Sequence, residues 1–171
     1  MLRTLRIVSI AAVASLVAVV SQPIPALGAY PGRNGKIAFV SMRDGVEQVY
    51  VMKATGAEQT NLTNDTTIRD ILPVWSPDGA NLLVTRKLPD TSFDIWSVNA
   101  RTGTATQLTS DRAPDIRATW SPDGARFAFA SGRGGTDSEI LVADTSGVEQ
   151  NVVVLTDNGT TDAQPAWSPL G

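Results

Sequence analysis

The 171-residue chain carries 14 basic and 17 acidic side chains, a net charge of −3, and neither cysteine nor histidine. That balance argues against a nucleic-acid or anionic-lipid surface. The two missing residue types exclude disulfides, thiol catalysis, thiol-linked lipid attachment and a Ser–His dyad.

In chain order, Met1–Gly28 reads as a secretory signal peptide. Arg3 and Arg6 give the positive start, and Ile7–Val20 is apolar apart from Ser9 and Ser15. Pro23 and Pro25 break the run, and Ala26 and Gly28 sit at −3 and −1 of a cut before Ala29. The apolar run is short for a membrane span, which needs about 20 residues. The two arginines are not adjacent, so the general secretory route is expected, with a periplasmic or extracellular destination. Residues 29–33 form a short linker.

A repeat occupies 34–171. "WSPDG" at Trp75–Gly79 returns at Trp120–Gly124, and "WSPLG" begins at Trp167, an interval close to the ~45 residues of a four-stranded unit. The first unit, 34–65, holds "KIAFVS", "QVYV" and "NLTND". The second, 70–111, opens on "DILPVW" and continues with "NLLVTR", "DIWS" and "QLTSD". The third, 115–158, runs "DIRATW", "RFAFAS", "EILV" and "VLTDN". Each run is short, β-branched or aromatic, and bounded by turn residues, so the expectation is all-β, with four antiparallel strands per complete unit. Pro77 and Pro122 preset the first corner of a tight turn, Asp78 and Asp123 tolerate the second, and Gly79 and Gly124 supply positive φ. Trp75, Trp120 and Trp167 are expected to be core between units, and Trp96 likewise.

Four strands in this period is the mark of a β-propeller blade. With "WSPDG", "IAFVS", the "QVYV" strand and the "LTND" ending, the chain resembles the TolB-like, WD40-like propeller repeats of bacterial exported proteins, from Asn34 to Gly171. About three blades' worth of strands is present. The first blade lacks an inner strand, and 162–171 gives an orphan one. Two arrangements meet that count: an open arc belonging to a longer product, or two chains completing a six-bladed ring as a homodimer.

No catalytic motif stands out, and the expectation is a non-enzyme. Asp70, Asp115 and Asp162 each lie five residues before a Trp. In a propeller they would line the channel mouth, where carboxylates can hold calcium or meet a basic partner. The alternative is that each caps its own turn. No other cofactor is expected. The hairpin tips Met42–Glu47, Lys87–Phe93 and Gly132–Ser138 differ between blades, which makes Arg43, Arg86, Phe93 and Arg133 candidate contacts. The resemblance implies a non-catalytic scaffold for a protein or small ligand. TolB itself serves the Tol–Pal system of the cell envelope by binding a peptidoglycan-associated lipoprotein. It also carries an N-terminal domain for which 29–33 leaves no room. The resemblance equally admits a propeller of a prolyl-oligopeptidase-type serine peptidase without its catalytic domain.

Overall fold

Runs of five to seven apolar-rich residues bury little by themselves, and pairing side by side is how they leave water. The computed structural model does this in three antiparallel sheets, each a simple meander. It describes residues 35–89, 92–135 and 137–169. The expected signal peptide and linker lie outside the described residues.

The first sheet holds β1 (Ile37–Ser41), β2 (Gln48–Met52) and β3 (Thr60–Asn61). The second holds β4 (Arg69–Trp75), β5 (Asn81–Lys87), β6 (Phe93–Asn99) and β7 (Ala105–Gln107). The third holds β8 (Asp115–Trp120), β9 (Arg126–Ser131), β10 (Glu139–Asp144) and β11 (Val153–Val154). The order is sequential in every sheet, so each is one blade, and the described residues contain no helix. This is part of a propeller, and among the described residues the first sheet has three strands where the other two have four.

Two apolar layers glue the blades face to face. Val49 from the first blade packs with Leu82, Val84 and Val98 from the second, and Ala38, Trp75 and Trp96 close around them. Leu83 and Ile95 point the other way and meet Phe127, Phe129 and Leu141 of the third blade, with Trp120 beside them. Alternation along β5 therefore feeds both interfaces, as period 2 requires of a strand buried on both sides. Trp75 and Trp120 are core between blades, as expected, and the Trp120 indole N–H donates to the Val74 carbonyl at 3.1 Å.

The "SPDG" turn is a closed hydrogen-bond unit. Ser76 Oγ donates to Asp78 Oδ1 at 2.6 Å, the Ala80 N–H reaches the same oxygen at 2.9 Å, and Gly79 N–H meets the Ser76 carbonyl at 2.9 Å. Ser121, Asp123, Gly124 and Ala125 repeat it bond for bond. Those bonds, the Ser hydroxyl first, hold both aspartates below the usual carboxylate range. Gly103 has a different reason to be glycine: φ is +74° and a Cβ would stand 2.4 Å from the Leu62 carbonyl oxygen of the preceding blade.

Each inner strand carries a bulge. Ile71 faces Thr85 but Val74 faces Leu83, and Ile116 faces Ala130 but Thr119 faces Ala128, so one extra residue is inserted each time. Leu72 (φ 54°) and Arg117 (φ 58°) take the left-handed conformation there. The expected orphan strand at 162–171 is corrected in part. No strand forms over 162–169, because a strand needs a partner. Yet Gln164, at the same place before its Trp, has φ 59°.

Candidate functional site

One end of the blades, where β4, β6, β8 and β10 begin, gathers the polar side chains. Register makes the reason plain. Asp70 faces Arg86, which faces Asp94 across the second sheet; Asp115 faces Ser131, which faces Glu139 across the third; Ser41 faces Gln48 in the first. Each row closes an otherwise apolar set of strands with groups that bond one another.

The bonds are strong. Arg86 grips Asp70 with two parallel bonds, Nε to Oδ1 at 2.7 Å and Nη2 to Oδ2 at 2.9 Å. Both side chains are buried, and the guanidinium stacks on Trp96 at 4.8 Å from the ring centre. In the third blade the cation comes from the hairpin: Arg133 donates to Asp115 at 2.6 Å and to Glu149 at 2.6 Å, and its Nε reaches Ser131 Oγ at 3.0 Å. Burial opposes the charge on Arg133, but its bond to Glu149 and the charge of Asp115 outweigh that and hold its pKa above the usual value. Burial also pushes Asp115 up, against Ser131 and Arg133, which pull it down.

A second polar set went unnoticed in the sequence. Gln48 and Glu139 open β2 and β10, Asp94 is the second residue of β6, and all three are buried. The Gln48 amide oxygen accepts from the Asp65 N–H at 2.9 Å, and Glu139 accepts from the Asn158 N–H at 3.3 Å and from Thr156 at 2.5 Å. Each thus tethers the "LT" turn of its own blade. Asp94 is one methylene shorter. Its Oδ1 is buried with no hydrogen-bond partner among the described residues. Burial first, then the charges of Asp115 and Glu149, push Asp94 up to about 6. The signal was available: a polar residue heads every "QVYV"-type strand, where periodicity alone asks for an apolar one.

The expected site residues divide. Arg86 is not a loop contact: it is buried in its pair with Asp70. Arg133 is mostly covered in its network. Asp70 and Asp115 are fully buried structural anions, while Asp162 is half-buried, off any sheet, and accepts from Asn158 Nδ2 at 2.8 Å. Among the described residues no three acidic groups come together to hold a metal ion, because each buried Asp turns along its own sheet toward an arginine.

Toward solvent at this end stand Arg43, Arg69 and Lys87 beside partly or fully buried aromatic rings, with Arg69 also paired to Glu47 at 2.8 Å. Phe93 lies between Arg69 and Lys87, whose charges stand 5.5 and 5.6 Å from its ring centre. Arg43 is exposed over Tyr50 at 4.6 Å and bonds Ser41 Oγ and Gln59 Oε1. At the opposite end a groove of about 350 Å³ runs between the two "SPDG" turns, past Trp120 and Thr145. Its carboxylates are already used by their own turns.

Bladed sheets with these turns and bulges meet a known pattern: the family model for the TolB beta propeller domain matches residues 68–171. The chain belongs to that family. It is 41% identical over 133 residues to the Tol-Pal system protein TolB of Anaeromyxobacter dehalogenans, covering 77% of this chain and 29% of that protein. It is 30% identical over 104 residues to a Bacillus subtilis protein named uncharacterized peptidase YuxL, covering 58% and 16%. A solved TolB-type structure from Agrobacterium tumefaciens superposes with a TM-score of 0.66 at 26% identity, over 80% of this chain and 51% of that one. The chain therefore spans about half or less of the relatives it matches. Among the described residues, no helix of this TolB-type propeller is long and apolar enough to cross a membrane.

Proposed function

We propose that the chain is an exported, non-catalytic propeller scaffold that binds a protein partner of the cell envelope at the strand-start end. The observation that carries this is the cluster of half-buried Phe93 with Arg69 and Lys87 on either side of its ring. Aromatic and arginine side chains are the residues that dominate protein interfaces; here Phe93 and Lys87 flank a hairpin that differs from its counterparts, and Arg69, the first residue of β4, stands beside them with one bond to Glu47 at 2.8 Å. The buried pairs beneath, Asp70 with Arg86 and Asp115 with Arg133, fix the strands that present them. The 41%-identical relative bears a Tol-Pal system name, so the soluble domain of the organism's own peptidoglycan-associated lipoprotein is the partner to test. Titration calorimetry is expected to show saturable binding that Phe93→Ala weakens about tenfold, equivalent to ~1.4 kcal/mol. Absence of heat with the folded protein, or equal binding by the variant, would sink this reading.

A second reading rests on the likeness to the protein named a peptidase. The repeats would then be the propeller of a prolyl-oligopeptidase-type serine peptidase. The sequence has no histidine, so the catalytic base would come from outside these repeats. Fluorophosphonate labelling in the source cells separates the two: a labelled species that contains these repeats favours the peptidase, and an unlabelled product favours the scaffold.

A further inference from the structure

We propose that the groove between the second and third blades, at the "SPDG" end, takes an arginine side chain of a partner protein, with Asp78 and Asp123 meeting the guanidinium and Trp120 lying against it. The groove belongs to two four-stranded sheets that are neighbours. The turns after β4 and β8 form its walls, and Ser97 of β6 and Thr145 after β10 close it. Its volume of about 350 Å³ falls within the about 300–1,000 Å³ of clefts that hold small molecules. Among the described residues no lysine or arginine lines it.

The first observation is charge. The Ser76 hydroxyl and the Ala80 N–H both bond Oδ1 of Asp78, and the Ser121 hydroxyl and the Ala125 N–H both bond Oδ1 of Asp123. Those four bonds leave Oδ2 of each carboxylate untouched. They also favour the ionised form, so both groups are anionic at neutral pH. Two fixed negative charges in a cleft without a cation of its own are complementary to a positive group from outside.

The second observation comes from the repeat, which holds such a group one blade further on. Arg126, the first residue of β9, stands over the Trp167 ring at 5.4 Å. Arg86 opposite Asp70 and Ser131 opposite Asp115 share one register position. Five residues before each lie Asn81 and Arg126, so these two hold the same place in their blades. Asn81 opens β5 as Arg126 opens β9, and it lines the groove together with Trp120. Lys36 takes that place before β1, so of the three positions Asn81 alone is uncharged. A guanidinium of the chain covers the tryptophan that follows the third blade. After the second blade a short neutral amide leaves that role to another molecule.

Arginine follows from shape. A planar guanidinium can lie on an indole face and still give N–H donors to two carboxylates at its edge. Pro77 and Pro122 flank the site and give the main chain that carries the arginine apolar surface to rest on. The groove lies at the end opposite Phe93, so Phe93→Ala leaves it intact and the two sites are tested separately.

The test uses the purified chain and Nα-acetyl-arginine amide, whose only charge is the guanidinium, with the uncharged citrulline analogue beside it. Nitrogen-edited NMR is expected to show saturable shifts of the Trp120 indole N–H and the Gly124 amide, with a dissociation constant in the millimolar range, and none with citrulline. Asp123→Asn keeps an oxygen for the turn while removing the charge, and is expected to weaken binding about threefold or more. Asn81→Arg gives the groove its own cation, as Arg126 does for Trp167, and is expected to weaken binding about tenfold while raising the melting temperature. A folded chain without saturable shifts overturns the proposal. So does equal binding of the citrulline analogue, or undiminished binding by Asn81→Arg. Tighter binding of Nα-acetyl-lysine amide overturns the assignment to arginine.

Discussion

In the second blade, the arginine that meets the inner-strand aspartate comes from the neighbouring strand, Arg86 directly opposite Asp70. In the third blade it comes from the hairpin two residues further on. Ser131 keeps the strand position, and Arg133 folds back over it to reach Asp115 and Glu149. The repeat conserves a buried ion pair without conserving the position of its cation. The two solutions differ in redundancy: among the described residues Arg86 forms an ion pair with Asp70, whereas Arg133 pairs with both Asp115 and Glu149.

The largest expected effect breaks the less redundant pair. Asp70→Ala strands Arg86 in a buried site and is expected to cost about 3–5 kcal/mol, read as a fall in the urea midpoint with an unchanged slope. Asp70→Leu combined with Arg86→Met removes both charges and is expected to recover most of that loss. A double variant as unstable as the single one would mean that the pair does more than neutralise itself.

Asp115→Ala sharpens the contrast. Glu149 keeps Arg133 paired, so the expected cost is smaller, about 1–3 kcal/mol. Equal losses at Asp70 and Asp115 would show that redundancy counts for nothing.

A third substitution compares the glycines. Gly103→Ala drives a Cβ onto the Leu62 carbonyl between blades, whereas Gly79→Ala meets open space at a similar φ of +69°. Gly79→Ala is expected to cost about 1 kcal/mol for its backbone conformation, and Gly103→Ala more. Thermal denaturation of the two variants side by side checks the order.

The smallest effect concerns Asp94. Its folded value of about 6 lies above the ~3.9 of an unfolded aspartate. The native state therefore takes up the proton first as pH falls. Stability from this group grows between about pH 6 and pH 4 and is lost as pH rises through 6. Burial raises Asp115 in the same direction, and that part persists when Asp94 is changed. Asp94→Gln restores the reach that Gln48 has to its turn and is expected to stabilise by about 1 kcal/mol near pH 7. The gain should shrink toward pH 4. Denaturant midpoints at the two pH values decide, and a gain independent of pH would remove the buried carboxylate from the account.

Much of the fold was legible because the repeat reports on local chemistry. "SPDG" encodes its own turn through Ser76, Asp78 and Gly79, and these bonds form wherever the phrase occurs. The β-branched runs and their spacing sufficed for strand identity and for the three strands that the described residues give the first sheet. The bulge at Leu72, Arg117 and Gln164 was not legible, since three different side chains share one conformation and none is glycine.

The site divided along the same line. Period and composition marked Asp70, Asp115 and Asp162 as equivalent, and they are equivalent in chain position. Their chemistry was decided by what lies across the sheet. Asp70 and Asp115 lost their openness to a ligand because an arginine reaches each of them in the interior, where an unpaired charge is costly. Asp162 kept its own because no sheet has formed around it. Sequence by itself determined the blade and its turns, which depend on neighbours in the chain. Only tertiary structure decided which charges are buried in pairs and which face outward, because pairing energy depends on partners that sequence distance does not reveal.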